Sequence, residues 1–186
     1  MARLIGPESF GFIGMLTIFM LLAESVISSG FTQALVQRSK EITEEDASTV
    51  FYVNMLWGIA MYIVLYISAP LISEFYHQPV LVDISRVLFV VIIINSLSIV
   101  ARAKLTIDID FKSQTIASTI ATLLSSLIAL WLAYYDYGYW ALVWLILSKA
   151  VFNTIGLWFF CRWIPKLIFS KTSFLSLFKF GSNLMI

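Results

Sequence analysis

The sequence predicts an all-α polytopic membrane protein, a helical bundle of about five full transmembrane helices plus the start of a sixth. Three observations predict it. First, 60% of the 186 residues are hydrophobic and only 12% charged, with a mean hydropathy of +0.92; soluble domains are roughly 45–50% apolar and about 25% charged. A soluble core of this length could not hide that much apolar surface. Second, the apolar residues fall into runs long enough to cross a hydrocarbon core of ~30 Å, which takes ~20 helical residues. Third, the polar residues collect in short loops, and Lys and Arg crowd into alternate loops. Composition also excludes several functions. A net charge of +1 without a basic run does not suit nucleic acid. The single cysteine, Cys161, rules out an intrachain disulfide or a multi-cysteine metal site. The lone histidine, His77, has no second ligand nearby, so neither metal nor cofactor is expected.

The elements follow in order. Gly6, Pro7 and Glu8 read as a helix-end glycine, a first-turn proline and an acid beside a helix N-terminus. Too few residues precede Gly6 to form the helix it would end, so the chain is expected to start just after one. The first helix is placed at 7–37, interrupted by Glu24; a helix of that length can tilt. A signal peptide fits less well, because Arg38 and Lys40 follow the segment rather than precede it. In the loop 37–47, Thr43 with Asp46 three residues on resembles a capping box, and Glu44–Asp46 put acids at a helix start. The second helix is placed at 44–75, with Pro70 near its far end. The third, 79–103, opens on Pro79 and carries Arg86 one to two turns in. A polar stretch, 104–113, leads to the fourth at 111–135. The tight turn Asp136-Tyr137-Gly138 leads to the fifth at 139–163, which Pro165 stops. A sixth begins near 174, and the chain is expected to end inside it at 186.

Charge orients these helices. Of the 12 Lys and Arg, nine fall on one side: Arg38, Lys40, Arg102, Lys104, Lys112, Arg162, Lys166, Lys171 and Lys179. Arg3 and Arg86 fall on the other, and Lys149 lies within a helix. Positive residues stay cytoplasmic, so the loop 37–47 is expected inside and residue 1 outside. Tyr134, Tyr135, Tyr137, Tyr139 and Trp140 then suit an outer interfacial belt, and Trp158 with Trp163 an inner one.

Two ionisable side chains lie deep. Glu24 is 14 residues before Arg38 and Lys149 is 13 before Arg162, so each sits ~20 Å from the charged edge at ~1.5 Å per residue. A lone charge there costs at least ~2.5–3.5 kcal/mol. Glu24 and Lys149 therefore either pair with each other, line a wet cavity that meets substrate or a proton, or meet partners elsewhere in the protein. Asn54, Gly58 and Tyr62 share one face of the second helix, and Lys149, Asn153 and Gly156 share one of the fifth. For Asn54 and Asn153, helix packing and cavity lining both stay open. Thr115, Ser118, Thr122, Ser125 and Ala129 form a small-residue stripe suited to close packing.

Seven segments carry a family resemblance: IGPESFG from Ile5, SGFTQALVQR from Ser29, EEDASTVFYVN from Glu44, APLISEFY from Ala69, IDFKSQTIAS from Ile109, YGYWALV from Tyr137 and FKFG from Phe178. In this order they resemble the polysaccharide-transporter branch of the multidrug/oligosaccharidyl-lipid/polysaccharide exporter superfamily. These are the Wzx-type O-antigen, capsule and colanic-acid flippases of the bacterial inner membrane. The resemblance implies two helical bundles around a central cavity, with 1–186 most of the N-terminal bundle, truncated, and the remainder of the chain as a partner. It implies export of an undecaprenyl-diphosphate-linked oligosaccharide by alternating access, with H+ or Na+ as coupling ion. Under it, Glu24, Lys149, Asn54 and Asn153 are candidates for the substrate path. Arg38, Arg102 and Lys104 at the inner mouth are candidates for attracting the diphosphate, unless they serve topology alone. Two rivals share the hydropathy: a multidrug exporter of the same superfamily, and a membrane-embedded glycosyl- or acyltransferase. For the latter, Glu44, Glu45 and Asp46 would be the only acidic cluster.

Overall fold

The computed structural model describes residues 6–28 and 43–166. Within them the regular structure is wholly α-helical: α1 (Pro7–Ser28), α2 (Glu44–Phe75), α3 (Leu81–Leu88), α4 (Val90–Ile107), α5 (Phe111–Tyr134) and α6 (Tyr139–Cys161). Five spans are long and apolar enough to cross a membrane, with α3 and α4 forming one of them, Leu81–Ile107. The expected continuation of the first helix to 37, the helix from 174 and Arg38 lie outside the described residues.

The helix ends follow from local chemistry. At the start of α2, Asp46 N–H donates to Thr43 Oγ1 (3.2 Å) and Thr43 N–H donates to Asp46 Oδ2 (3.0 Å). This reciprocal box satisfies two orphan donors, and such a cap is worth ~1 kcal/mol. Asp110 caps α5 by accepting from the Ser113 hydroxyl (2.5 Å) and its N–H (3.0 Å). Those two bonds hold the Asp110 carboxyl below its ordinary range. Four turns after helix ends pass through left-handed, non-glycine residues: His77, Ile109, Asp136 and Arg162. For the β-branched Ile109, at φ 57°, that conformation is strained. Gly138, at φ 54° and ψ −126°, opens α6 in a region that residues with a Cβ avoid.

The expected helix 79–103 differs from the observed span at both ends and in the middle. Pro79 sits in the turn before α3 rather than in its first turn, since Leu81 N–H bonds to Gln78 O and Val82 N–H to Pro79 O. At Phe89 the ladder tightens, with Ile92 N–H reaching Phe89 O at 3.0 Å. Phe89 keeps right-handed angles (φ −66°, ψ −13°), so the axis runs on. It continues to Ile107 because Arg102 and Lys104 carry long apolar stems that tolerate a helix near the membrane edge.

The span α3–α4 is central: α4 touches α1, α2, α5 and α6, while α5 and α6 pack most intimately. The reason is a stripe of small residues, Ala117, Ala121, Ser125, Ala129 and Ala133, one per turn and all buried. The stripe expected from Thr115, Ser118 and Thr122 is corrected here; those three are exposed, and the alanines at spacing four make the seam. Against it, a Cβ on Gly156 would fall 2.9 Å from Ala117 Cβ. Between α2 and α4, a Cβ on Gly58 would fall 2.6 Å from Ser96 Oγ. Two side chains of α6 tie it to α4: Trp158 Nε1 donates to Leu97 O (3.0 Å) and Thr154 Oγ1 to Ile94 O (3.3 Å). Such side-chain bonds and small-residue contacts are what hold helices together when lipid removes the hydrophobic drive between them.

Leu21 and Leu22 of α1, Ile67 and Leu71 of α2, and Leu123, Leu127 and Trp131 of α5 stay exposed, as membrane-facing side chains should. Tyr134, Tyr135 and Tyr137 are exposed at one end of the bundle. Trp158 and Trp163 do not form a matching belt at the other end. Trp163 is buried and both rings pack on Phe51, with centroids 5.7 and 6.1 Å away, while the indole N–H groups of Trp158 and Trp163 donate to Leu97 O and Glu44 Oε2. Arg86 lies over the Tyr66 ring, 4.6 Å from its centroid, a cation–π contact that offsets part of the cost of an arginine there.

Candidate functional site: a polar cleft

Each of four helices turns polar side chains toward one cleft. On α4, Asn95, Ser98 and Arg102 recur at helical spacing. On α6, Lys149 and Asn153 stand one turn apart; on α5, Gln114, Thr115 and Ser118 cluster in the first two turns, and α1 contributes Glu24. Three adjoining cavities result, the widest of ≈ 310 Å³. Arg102 borders all three. Glu24 lines two of them with Asn95, and Asn153 with Ser118 lines two, the widest being common to both pairs.

Glu24 and Lys149 share the cavity between α1 and α6, yet they form no ion pair. Glu24 Oε1 instead accepts from Asn95 Nδ2 at 2.5 Å, since the α1 face carrying Glu24 looks onto α4. Lys149 is exposed to the cleft and has no ion-pair partner among the described residues. Asn153 lies one turn further along the same wall.

The three cations expected at the inner mouth part company. Arg38 is outside the described residues. Arg102 is in the cleft with its guanidinium exposed. Lys104 turns the other way: Nζ donates to Glu44 Oε1 at 2.9 Å and sits over the Trp163 ring, 4.8 Å from its centroid. Glu44 Oε2 accepts the Trp163 indole N–H at 2.9 Å, and Lys166 N–H bonds to Ser48 Oγ at 3.1 Å. The chain after α6 is thereby fastened to the first turns of α2. Glu44 and Asp46 of the acidic cluster are thus a fastening and a cap. Asn54 does not line the cleft either: it is fully buried on the α2 face that carries Gly58, and neither amide atom has a hydrogen-bond partner among the described residues. No group of three or more His, Cys, Asp and Glu suited to a metal occurs among the described residues.

Asn95 and Gln114 had no place in the sequence reading. For Asn95 a signal existed: an amide inside VVIIINSLSIV must find a partner when buried among apolar side chains. Gln114 sits in a run of polar residues beside the inner loop, where nothing set it apart.

Over residues 1–186 the sequence matches the family described as polysaccharide biosynthesis protein. The chain belongs to that family. It is 28% identical over 187 residues to the succinoglycan biosynthesis transport protein ExoT of Rhizobium meliloti, covering 100% of this chain and 37% of that protein. The lipopolysaccharide biosynthesis protein WzxC of Escherichia coli is 23% identical over 123 residues, 66% of this chain and 25% of its own. The teichuronic acid biosynthesis protein TuaB of Bacillus subtilis is 35% identical over 74 residues, 40% and 15% of the two chains. The chain thus spans little more than a third of the first of these relatives. No solved structure matches it significantly. The resemblance to polysaccharide transporters drawn from seven short segments agrees with these matches. The family match and five helices long and apolar enough to cross a membrane make it a multi-pass membrane protein of polysaccharide biosynthesis.

Proposed function

We propose that this chain forms part of the path by which an undecaprenyl-diphosphate-linked oligosaccharide crosses the bacterial inner membrane during surface polysaccharide synthesis. The observation that carries the reading is Arg102: an exposed guanidinium bordering every cavity of a polar cleft inside an otherwise apolar bundle. Such a cargo has a dianionic centre, a sugar part that needs polar walls, and a polyprenyl tail that stays in lipid. A guanidinium is the group best shaped for phosphate oxygens. Lys149, deeper in the cleft, supplies a second positive charge, and Asn153 an uncharged polar contact. Arg38 joins Arg102 at the mouth. Lys104, engaged by Glu44, contributes less, and Asn54 serves the α2–α4 seam.

In this reading the loop 37–47 is cytoplasmic, as the positive charges ask, and the cleft accepts its cargo from the inner leaflet. Glu24 is the acid positioned to answer to a coupling ion, H+ or Na+, because its partner Asn95 is neutral. The remainder of the protein closes the other side of the cavity. The names of the relatives favour polysaccharide cargo over drugs for the same architecture. The test is complementation: the full-length gene, expressed in a strain lacking its own flippase, restores surface polysaccharide and clears the accumulated lipid-linked oligosaccharide. Persistent accumulation with normal protein in the membrane would overturn the reading.

A further inference from the structure

The cavity between α4, α5 and α6, at the Phe111 end of the cleft, differs in chemistry from the rest. It is lined by Arg102, Phe111, Gln114, Thr115, Ser118, Asn153 and Leu157, with no acid and no lysine among the described residues. Its hydroxyls are committed in one direction. Thr115 Oγ1 donates to Phe111 O (2.8 Å) and Ser118 Oγ donates to Thr115 O (3.0 Å). Gln114 Nε2 donates to Thr106 Oγ1 (3.1 Å). The two hydroxyls have spent their protons and keep acceptor capacity, while Gln114 keeps its carbonyl oxygen as an acceptor and one N–H as a donor. Asn153 has no side-chain hydrogen bond among the described residues and can both give and take.

Apart from Arg102, a neutral wall in which acceptors outnumber the remaining N–H donors is a poor home for a phosphate, which only accepts. It suits a ligand whose own groups donate. Phe111, 56% exposed, adds an apolar ring to the same cavity. An apolar surface with a few converging polar groups is the usual form of a small-molecule site, and here those groups are amides and hydroxyl oxygens. We propose that this cavity is a sugar subsite, in which Gln114, Thr115, Ser118 and Asn153 accept from glycan hydroxyls, Phe111 covers a pyranose face, and Arg102 at its border holds the phosphate next to that sugar. The inference rests on the flippase reading and adds to it where the glycan is read. Among its described residues the wall carries no second cation, so a neutral sugar fits beside the diphosphate better than an acidic one.

The test uses the full-length protein in nanodiscs and two probes: undecaprenyl diphosphate without glycan, and the glycan-bearing lipid that accumulates in cells lacking the exporter. The wild type is expected to bind the glycan-bearing lipid more tightly. Gln114→Leu and Phe111→Ala should each weaken that binding by about 3–10-fold, the size of one lost hydrogen bond or contact, and leave binding of the bare diphosphate lipid unchanged. Thr115→Val, which removes an acceptor at nearly constant shape, should act in the same direction and guards against misfolding of the larger changes. Equal affinity of the wild type for both lipids, or parallel loss for both in the variants, would overturn the sugar subsite while leaving the flippase reading standing. Failure of the wild type to bind either lipid would overturn both.

Discussion

Asn95 Nδ2 donates to Glu24 Oε1 at 2.5 Å, joining α1 to α4 across 71 residues of chain. α1 has few other polar ties: its buried side chains are mainly Leu16, Met20, Ala23 and Ile27, with Leu21, Leu22 and Val26 exposed on the opposite side. The bond therefore sets how α1 sits over the cleft. Asn95→Leu should destabilise the full-length protein by about 1–3 kcal/mol, because it strands the Glu24 carboxyl. Adding Glu24→Leu should recover part of that loss. Thermal unfolding of the two single variants and the double variant checks the coupling; strictly additive effects would mean the pair does not interact.

The small-residue seams make a second expectation. Gly58→Ala places a Cβ 2.6 Å from Ser96 Oγ and 2.8 Å from its Cβ, and Gly156→Ala places one 2.9 Å from Ala117 Cβ. Overpacking of this kind costs about 1–3 kcal/mol. Ser96→Gly should relieve the first and Ala117→Gly the second. Unfolding midpoints in detergent would register both the losses and the pairwise rescues.

At the other end of the bundle, the Glu44–Lys104 pair is partly exposed, at 23% and 49% for the side chains of Lys104 and Glu44. Alone it should contribute no more than about 1 kcal/mol. The Trp163 ring it helps to hold is buried against Ala47, Phe51 and Val100. Trp163→Ala should therefore cost about 3–5 kcal/mol, well above Lys104→Gln. Comparable losses in an unfolding experiment would show that the ion pair, not the ring, fastens the chain after α6 to α2.

Sidedness is open to direct measurement. In a cysteine-free full-length protein, a thiol at Glu45→Cys should be blocked only by reagents that reach the cytoplasm, and one at Tyr137→Cys by impermeant reagents from outside. Both side chains are exposed. The reverse labelling pattern would invert the topology.

What could be read from the residues alone was the part governed by local rules. The Thr43–Asp46 box, the Asp136–Gly138 turn and a helix stop ahead of Pro165, which comes at Cys161 rather than at 163, are short-range chemistry, and charge placement follows the membrane edges. Rotation about the helix axes was not legible. Counting along the chain put Glu24 and Lys149 at one depth, and the structure does put them on one cavity. It could not show that Glu24 faces Asn95 first. The same blindness added Thr115, Ser118 and Thr122 to the α5 seam, which Ser125 and Ala129 do share with Ala117, Ala121 and Ala133, and grouped Lys104 with Arg102, although two residues of helix turn them to different neighbours. Asn54 shows the limit most plainly: the residues left packing and cavity lining both open, and the fold buries it on the α2 face that carries Gly58.

The central claim is that Arg102 stands in the translocation path while Lys104 does not. Export of lipid-linked oligosaccharide should be measured in flippase-deficient cells carrying the full-length protein with Arg102→Gln or Lys104→Gln, matched for membrane abundance. Arg102→Gln should reduce surface polysaccharide by about tenfold or more, the scale of a lost charge-assisted contact to phosphate, and Lys104→Gln should leave it near wild type. Undiminished export with Arg102→Gln would contradict the account.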